Sequence, residues 1–404
     1  MIYKSNTKGV KMSDIRYIMF KDTPVAKIQG FSVEILDYDR LPFDLRTEDI
    51  NFDMIFHGWT EKRTLNIGKT NAKAITASLG VAQSNTYAIG ALMHFIQFTD
   101  CYWIKKEDEN LSWADVSPFK NPLNVLLSKV ALTGEHENLK ALAFTNHLAS
   151  PDVSAQGLAA KCLVFDEGRL CLYKISKAEI AASQILDQIG SPFCGIFQHV
   201  IYKEAPADKI STVASKERLD AIKNRNEKIA QCQVMTDEGC SLLPWEAFCV
   251  GCELHDKNPY EEMKKIEEAE SRFHGMNIAD YILGNDDRHL ENWGFLVDNS
   301  TGKIVKMAPL YDHDHAFSDG DLICQTTEEE MPLLDAAIKG LEYFRSLGDF
   351  NNDLMETLRN RLTQKPEMLS GEKWANLLDR VNVLKDKEQE LNEKEIGEKV
   401  DYED

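Results

Sequence analysis

The sequence predicts an α+β protein: a mixed amino-terminal domain, a small sheet in the middle and a helical carboxyl-terminal half. Three observations predict it. Between about 160 and 235 short apolar runs alternate with turn signals. After about 240 the apolar residues recur at helical spacing, and that text is broken once, over 284–317, by two strand-like runs. A chain of 404 residues has room for two to three folded units of ordinary size.

The first unit spans 1–135. The aromatic stretches IRYIMF, FSVEIL and FDMIFHGW precede a helical passage, NAKAITASLGVAQSNTYAIGALMHFIQF, which Gly80 splits in two. The pair has the look of a helix-turn-helix, but its second half carries almost no Arg or Lys to meet phosphates or base edges. We therefore expect helices that pack on their neighbours. The segment CYWIKKEDENLSWADVSPFKNPL, with its charges, Pro118 and Pro122, reads as a surface connection.

The second unit spans 136–238. AAKCLVF and RLCLYKI flank an Asp166-Glu167-Gly168 turn and predict a hairpin. A helix follows over 177–189, with Ile180, Ala181, Ile185, Leu186 and Ile189 forming its apolar stripe and Gly190 its stop. FQHVIYKEA and KIAQCQVM predict two further strands around a polar helical insert, giving a small sheet that carries one helix.

The third unit spans 239–385 and is predominantly helical. NPYEEMKKIEEAESRFHGMNIADYIL places Met263, Ile266, Phe273 and Ile282 near helical spacing. The interruption holds the strands WGFLVD and KIVKMAPLY, joined by a turn at Asn299 to Gly302, after which DAAIKGLEYF, NNDLMETLRNRL and KWANLLDRVNVL resume the helical pattern. Residues 386–404 read as an acidic tail, a frayed helix.

Composition narrows the function. Lys and Arg total 46 against 66 Asp and Glu, a net charge of −20, which argues against a surface that tracks a nucleic-acid backbone. No run of 18 apolar residues predicts a membrane span, and the opening MIYKSNTKGVKMSDIRY lacks the pattern of an export leader, so a cytoplasmic location is expected. The nine cysteines are odd in number and several sit in apolar runs, which predicts reduced thiols. Cys249 and Cys252, with Cys232, Cys240 and His255, have part of a zinc-site spacing. The second close pair is missing, so buried thiols are the expectation.

The chemistry-bearing residues cluster around the interruption. Asp287 and Asn292 stand five apart in a loop before one strand, and Asp312 follows the other. Oxygen ligands so placed suit phosphoryl transfer, with one carboxylate orienting a hydroxyl and an amide plus a second carboxylate holding Mg²⁺. Upstream, Lys174 ends a strand and Glu179 lies in the first turns of the next helix, a pairing that can hold a Lys on nucleotide phosphates. The plainer readings are turn-capping Asx residues for the first set and a surface ion pair for the second. His289 reads as a structural imidazole, and Asp314, by strand alternation, falls on the face opposite Asp312.

GNDDRHLENWGFLVD followed by MAPLYDHDHAF resembles the catalytic and metal-binding loops of the HipA-like serine/threonine kinases of bacterial toxin–antitoxin systems. The resemblance implies a bilobal protein-kinase-like α+β fold with an additional amino-terminal α/β domain. It implies ATP and Mg²⁺, with Asp287 as base, Asn292 and Asp312 as metal ligands, Lys174 on the phosphates and Glu179 as its partner. SPDVSAQG resembles the phosphate-covering loop, so Ser154, Ala155, Gln156 and Gly157 would cradle phosphate with a single glycine, and Ser150 and Ser154 are candidates for self-phosphorylation. In the linker CQVMTDEG, Val234, Met235 and Thr236 are placed to meet adenine. The family also implies a protein substrate and an antitoxin-like partner, although nothing in the amino-terminal region points to a repressor contact. Two alternatives stand beside this reading: a phosphoinositide or small-molecule hydroxyl kinase, and a catalytically silent nucleotide-binding module.

Overall fold

The structure, a computed structural model, describes residues 15–401 except 31, 48–51, 122, 142–153, 156, 191–197, 321, 328 and 348–352. The amino-terminal sheet holds β1 (Ile15–Phe20), β2 (Thr23–Gln29), β3 (Ser32–Ile35) and β4 (Tyr102–Lys106) in the order β3-β2-β1-β4, every pair antiparallel. The fourth strand corrects the sequence reading of 101–123 as a surface connection. Trp103 is fully buried, and Ile104 nearly so, and pairing with β1 outweighs the charges at its end. FDMIFHGW forms a helix, Phe52–Glu61. The helices Ala72–Leu79 and Thr86–Leu92, the first ended by Gly80 at φ +69°, bury Ile75, Leu79 and Ile89 against Trp103 and the helix Val125–Thr133. They are packing helices, as expected.

The central sheet holds β5 (Lys161–Asp166), β6 (Arg169–Ile175), β7 (Lys203–Glu204) and β8 (Ile229–Gln233) in the order β5-β6-β8-β7, all antiparallel. Glu167 (φ +50°) and Gly168 (φ +77°) make the two-residue turn of the expected hairpin. Helix Lys177–Gly190 buries Ile180, Ile185, Leu186 and Ile189. FQHVIYKEA yields only the two residues of β7 and a parallel bridge from His199 to Leu310, because Pro206 then opens the helix Ala207–Val213. One apolar cluster joins Met19, Trp103 and Val130 to Cys162, Cys171, Tyr173 and Ile229. The core of the amino-terminal domain thus continues into that of the central sheet.

The carboxyl-terminal half opens with a strand where helix was expected. This strand, β9 (Cys240–Pro244), joins β10 (Gly294–Asp298) and β11 (Lys303–Met307) in the order β11-β10-β9. A Cβ at Gly294 would lie 2.2 Å from the Leu243 carbonyl oxygen, so only glycine lets β10 approach β9 there. Helix Trp245–Glu253 follows, and the predicted helix over 258–283 breaks into Pro259–Met263 and Ala269–Leu283, with Glu268 at φ +57°. Ala269–Leu283 is buried nearly all round and packs on Leu333–Ser346, where a Cβ at Gly340 would lie 2.9 Å from the His274 carbonyl. The short strands β12 (Ile323–Cys324) and β13 (Met331–Pro332) pair with each other, and Leu354–Arg361 and Gly371–Asp401 complete the half. The last helix runs unbroken across 385–386.

Glu388 on that last helix caps another. Its two carboxylate oxygens accept the amides of Leu354 (2.9 Å) and Met355 (3.0 Å) at the start of Leu354–Arg361. Burial pushes its carboxyl up to about 7, although both amides oppose the shift. The folded chain therefore keeps a proton that the unfolded chain releases between its ordinary pKa and about 7, and the stability from this group falls as pH rises through that window. Urea midpoints of wild type and Glu388→Gln at pH 5 and pH 8 should show the wild-type advantage shrinking at the higher pH. An advantage that stays constant or grows would contradict this account.

Candidate active site

A cleft runs between the central sheet and the carboxyl-terminal half, lined by Lys161, Lys174, the 232–236 linker, Pro244, Asn292 and Asp312. Lys174 is the next-to-last residue of β6. Ser176 then receives the Glu179 amide (3.3 Å) and starts the helix that carries Glu179 back over the strand. The Lys174 ammonium, 2% exposed, lies 3.0 Å from Glu179 Oε1 and 2.8 Å from Asp314 Oδ2, and also contacts Asp312. This is no surface ion pair. Burial alone would lower the ammonium, but Asp312, Glu179 and Asp314 outweigh it and hold it well above the ordinary lysine value. Burial likewise favours a neutral Asp312, yet Lys174 and Lys161 hold that carboxyl well below the usual range. Glu179 is pushed up to about 7, chiefly by burial, and its Oε2 accepts the His313 amide at 2.9 Å.

Asp314 belongs to the cluster, which corrects the alternation argument. Asp312 sits at φ +60°, outside extended geometry, so the next residues turn and Asp314 returns to the side of Asp312. Glu179, Asp312 and Asp314 bring oxygens within 4.8 Å of one another, the one group of metal-ligating acids, thiols or imidazoles among the described residues. Oxygen-only donors of this kind fit a hard divalent cation such as Mg²⁺. The cysteines do not form such a group: Cys249 and Cys252 share a helix with thiols pushed up by burial to about 12 and about 11.

Two further residues that shape the candidate site escaped the sequence reading. Lys161, 5% exposed, pairs with Lys174 across β5–β6, and a Cβ on Gly157 would lie 2.6 Å from its ammonium. Strand register was the available signal. The other is Arg288, which anchors the catalytic loop. Its guanidinium grips Asp280 through Nε (2.9 Å) and Nη2 (3.0 Å), donates to the Asn292 carbonyl (2.7 Å) and also reaches the Tyr311 carbonyl. One side chain thereby fixes Asn292 and the residue before Asp312 to a buried helix. A 4%-exposed Arg requires such a partner, but the sequence does not say which acid supplies it.

The expected site residues fall as follows. The Asn292 amide nitrogen donates to the Asp287 carbonyl (3.0 Å), which leaves Oδ1 as its lone-pair donor for a cation. The Asp287 side chain is 44% exposed and 3.9 Å from His315 Nε2. His289 Nδ1 accepts the Glu291 amide at 3.2 Å. Ser154 and Ala155 are buried, the Ser154 hydroxyl donating to the Ile96 carbonyl (2.9 Å), and Gly157 adopts φ +84°. Val234, Met235 and Thr236 line the cleft; the Val234 amide donates to Leu170 and the Thr236 hydroxyl to Phe98. Gln156 and Ser150 lie outside the described residues.

Among solved structures, the Shewanella oneidensis MR-1 toxin–antitoxin protein HipA, solved with HipB and its operator DNA, matches over 93% of this chain and 97% of its own, at 12% identity and a TM-score of 0.50. The chain has a HipA-like kinase fold. The Helicobacter pylori proinflammatory kinase CtkA matches over 57% of this chain and 95% of its own, with 16% identity and a TM-score of 0.37. The family model for phosphatidylinositol 3- and 4-kinases matches residues 252–369, which hold Asp287, Asn292 and Asp312. No curated protein matches. The candidate site thus lies in the part of this HipA-like fold that the kinase family model matches.

Asp280→Asn removes the counter-charge of the buried Arg288. Breaking a buried pair from one side should lower stability by about 3 kcal/mol or more in urea denaturation; a loss below about 1 kcal/mol would show that the pair does not anchor the loop.

Proposed function

We propose that the protein is an ATP- and Mg²⁺-dependent protein kinase that transfers the γ-phosphate to a serine or threonine hydroxyl. The observation that carries this is Lys174, buried and held between Glu179 and the Asp312–Asp314 turn, across the cleft from a loop that Arg288 locks in place. Asp287, the accessible carboxylate of that loop, accepts the hydroxyl proton. The freed oxygen bonds to the γ-phosphorus as the bond to the ADP oxygen breaks. Asn292, Asp312 and Asp314 are the residues that would hold Mg²⁺, which neutralises charge on the phosphate oxygens when bound. Lys174 and Lys161 meet the phosphates, and Glu179 positions Lys174. Val234, Met235 and Thr236 would face adenine, and Ala155 and Gly157 the phosphates.

A phosphoinositide substrate is the second reading, favoured by the family model over 252–369. The net charge of −20 works against docking on an anionic membrane, and among the described residues no helix is long and apolar enough to cross one. We therefore assign a protein substrate and a cytoplasmic setting. An antitoxin-like partner follows by analogy with the HipA fold. Ser154 is buried with its hydroxyl bonded to the Ile96 carbonyl, so self-phosphorylation there requires the loop to leave its seat.

Labelled ATP and Mg²⁺ with wild type, Asp287→Asn and Asp312→Ala, offered protein extract or phosphatidylinositol vesicles, test this reading. Asp287→Asn should lose about 10²-fold or more in transfer while keeping nucleotide affinity within about threefold. Asp312→Ala should lose both transfer and Mg²⁺-dependent binding. Label in lipid alone would favour the second reading, and full activity of Asp287→Asn would remove that residue as the base.

A further inference from the structure

The phosphate loop is short of glycine, and the structure holds it from outside. Three residues of the amino-terminal domain reach it. Thr70 donates both its amide (2.9 Å) and its hydroxyl (2.9 Å) to the Leu158 carbonyl. The Lys69 ammonium, 3% exposed, donates to the Ala155 carbonyl at 3.3 Å. From the loop side, the Ser154 hydroxyl donates to the Ile96 carbonyl at 2.9 Å. The approach is also sterically tight: a Cβ on Gly68 would lie 3.3 Å from the Leu158 side chain. These anchors flank Gly157, the residue against which the Lys161 ammonium lies. Thr70 and Lys69 take carbonyls of the loop, which turns those acceptors away from the anionic ligand the loop is read to cover.

Resting on the kinase reading, we propose that the amino-terminal segment 66–70 is a splint for the phosphate loop, with Thr70 and Lys69 as positioning residues for nucleotide binding. A glycine-rich loop reaches its phosphate-binding shape through backbone freedom and gives up that entropy on binding. Here Ser154, Ala155 and Leu158 are held beforehand by a second domain whose core is continuous with the central sheet. The amino-terminal domain is accordingly part of the nucleotide site, and a partner that shifts segment 66–70 would change nucleotide affinity without touching the cleft.

Thr70 is exposed, so Thr70→Val removes the hydroxyl bond with little risk to the fold, Thr70→Ser restores it, and Gly68→Val pushes on Leu158 from the same side. Hydrogen exchange of the nucleotide-free proteins and titration with a fluorescent ATP analogue plus Mg²⁺ read the two parts separately. Thr70→Val and Gly68→Val should expose amides 157–160 to faster exchange and weaken nucleotide binding by about threefold to tenfold, the scale of one to two hydrogen bonds' net worth. KM for ATP should rise with kcat within about twofold, and Thr70→Ser should behave as wild type. Unchanged exchange at 157–160, or unchanged affinity in both variants, overturns the splint. A wild type that binds no nucleotide overturns the kinase reading, and with it the splint's role in binding.

Discussion

The buried ammonium of Lys174 is the constraint on which the rest of the site depends. Removing a lone ammonium from water costs several kcal/mol, and only closely placed carboxylates offset that. The three that do so come from the helix after β6 and from the turn after β11. Satisfying one charge therefore docks the central sheet, its helix and the carboxyl-terminal half at one point. Arg288 repeats the device on the other side of the cleft, where Asp280 in a buried helix fixes the loop that carries Asp287 and Asn292.

How much of this was legible depended on whether the determinant was local. The β5–β6 hairpin, the helix bearing Glu179 and the β10–β11 hairpin were readable because turn residues and apolar period sit within a dozen positions of one another. Strand β4 was hidden because it pairs with β1 more than eighty residues earlier, and its Lys105 and Lys106 read as surface. Strand β9 was hidden for the same reason: its partner β10 lies beyond three helices. Among site residues, Asp287, Asn292, Asp312, Lys174 and Glu179 could be named from spacing and resemblance. Asp314 could not, since alternation fails at the positive φ of Asp312. Lys161 could have been found from the register of the predicted hairpin, whereas no turn or apolar period marks Asp280, in the preceding helix, as the partner of Arg288.

The departure of the phosphate loop from a glycine-rich form becomes intelligible beside the continuity of the core. A loop with one glycine in its cradle, Gly157, has few ways to adapt, so its shape must be right before the ligand arrives. The apolar cluster that spans Trp103, Val130, Cys162 and Tyr173 makes the amino-terminal domain and the central sheet one packed body, and close packing transmits position with little slack. That rigidity is what allows hydrogen bonds from outside the kinase lobes to set the loop.

Charge balance in the cleft bears on the order in which ligands enter. Glu179, Asp312 and Asp314 face Lys174 and Lys161, so the group carries an excess of negative charge when all three acids are ionised. A polyphosphate arriving alone would meet Lys174 already committed to carboxylates. Under the proposed kinase reading, Asp312 and Asp314 would hold a divalent cation whose charge offsets theirs, leaving Lys174 to meet phosphate oxygens. The burial of the acids makes that offset large, because few water dipoles remain to screen it. On the proposed kinase reading, the same carboxylates that hold the lysine would favour a nucleotide that arrives together with its metal.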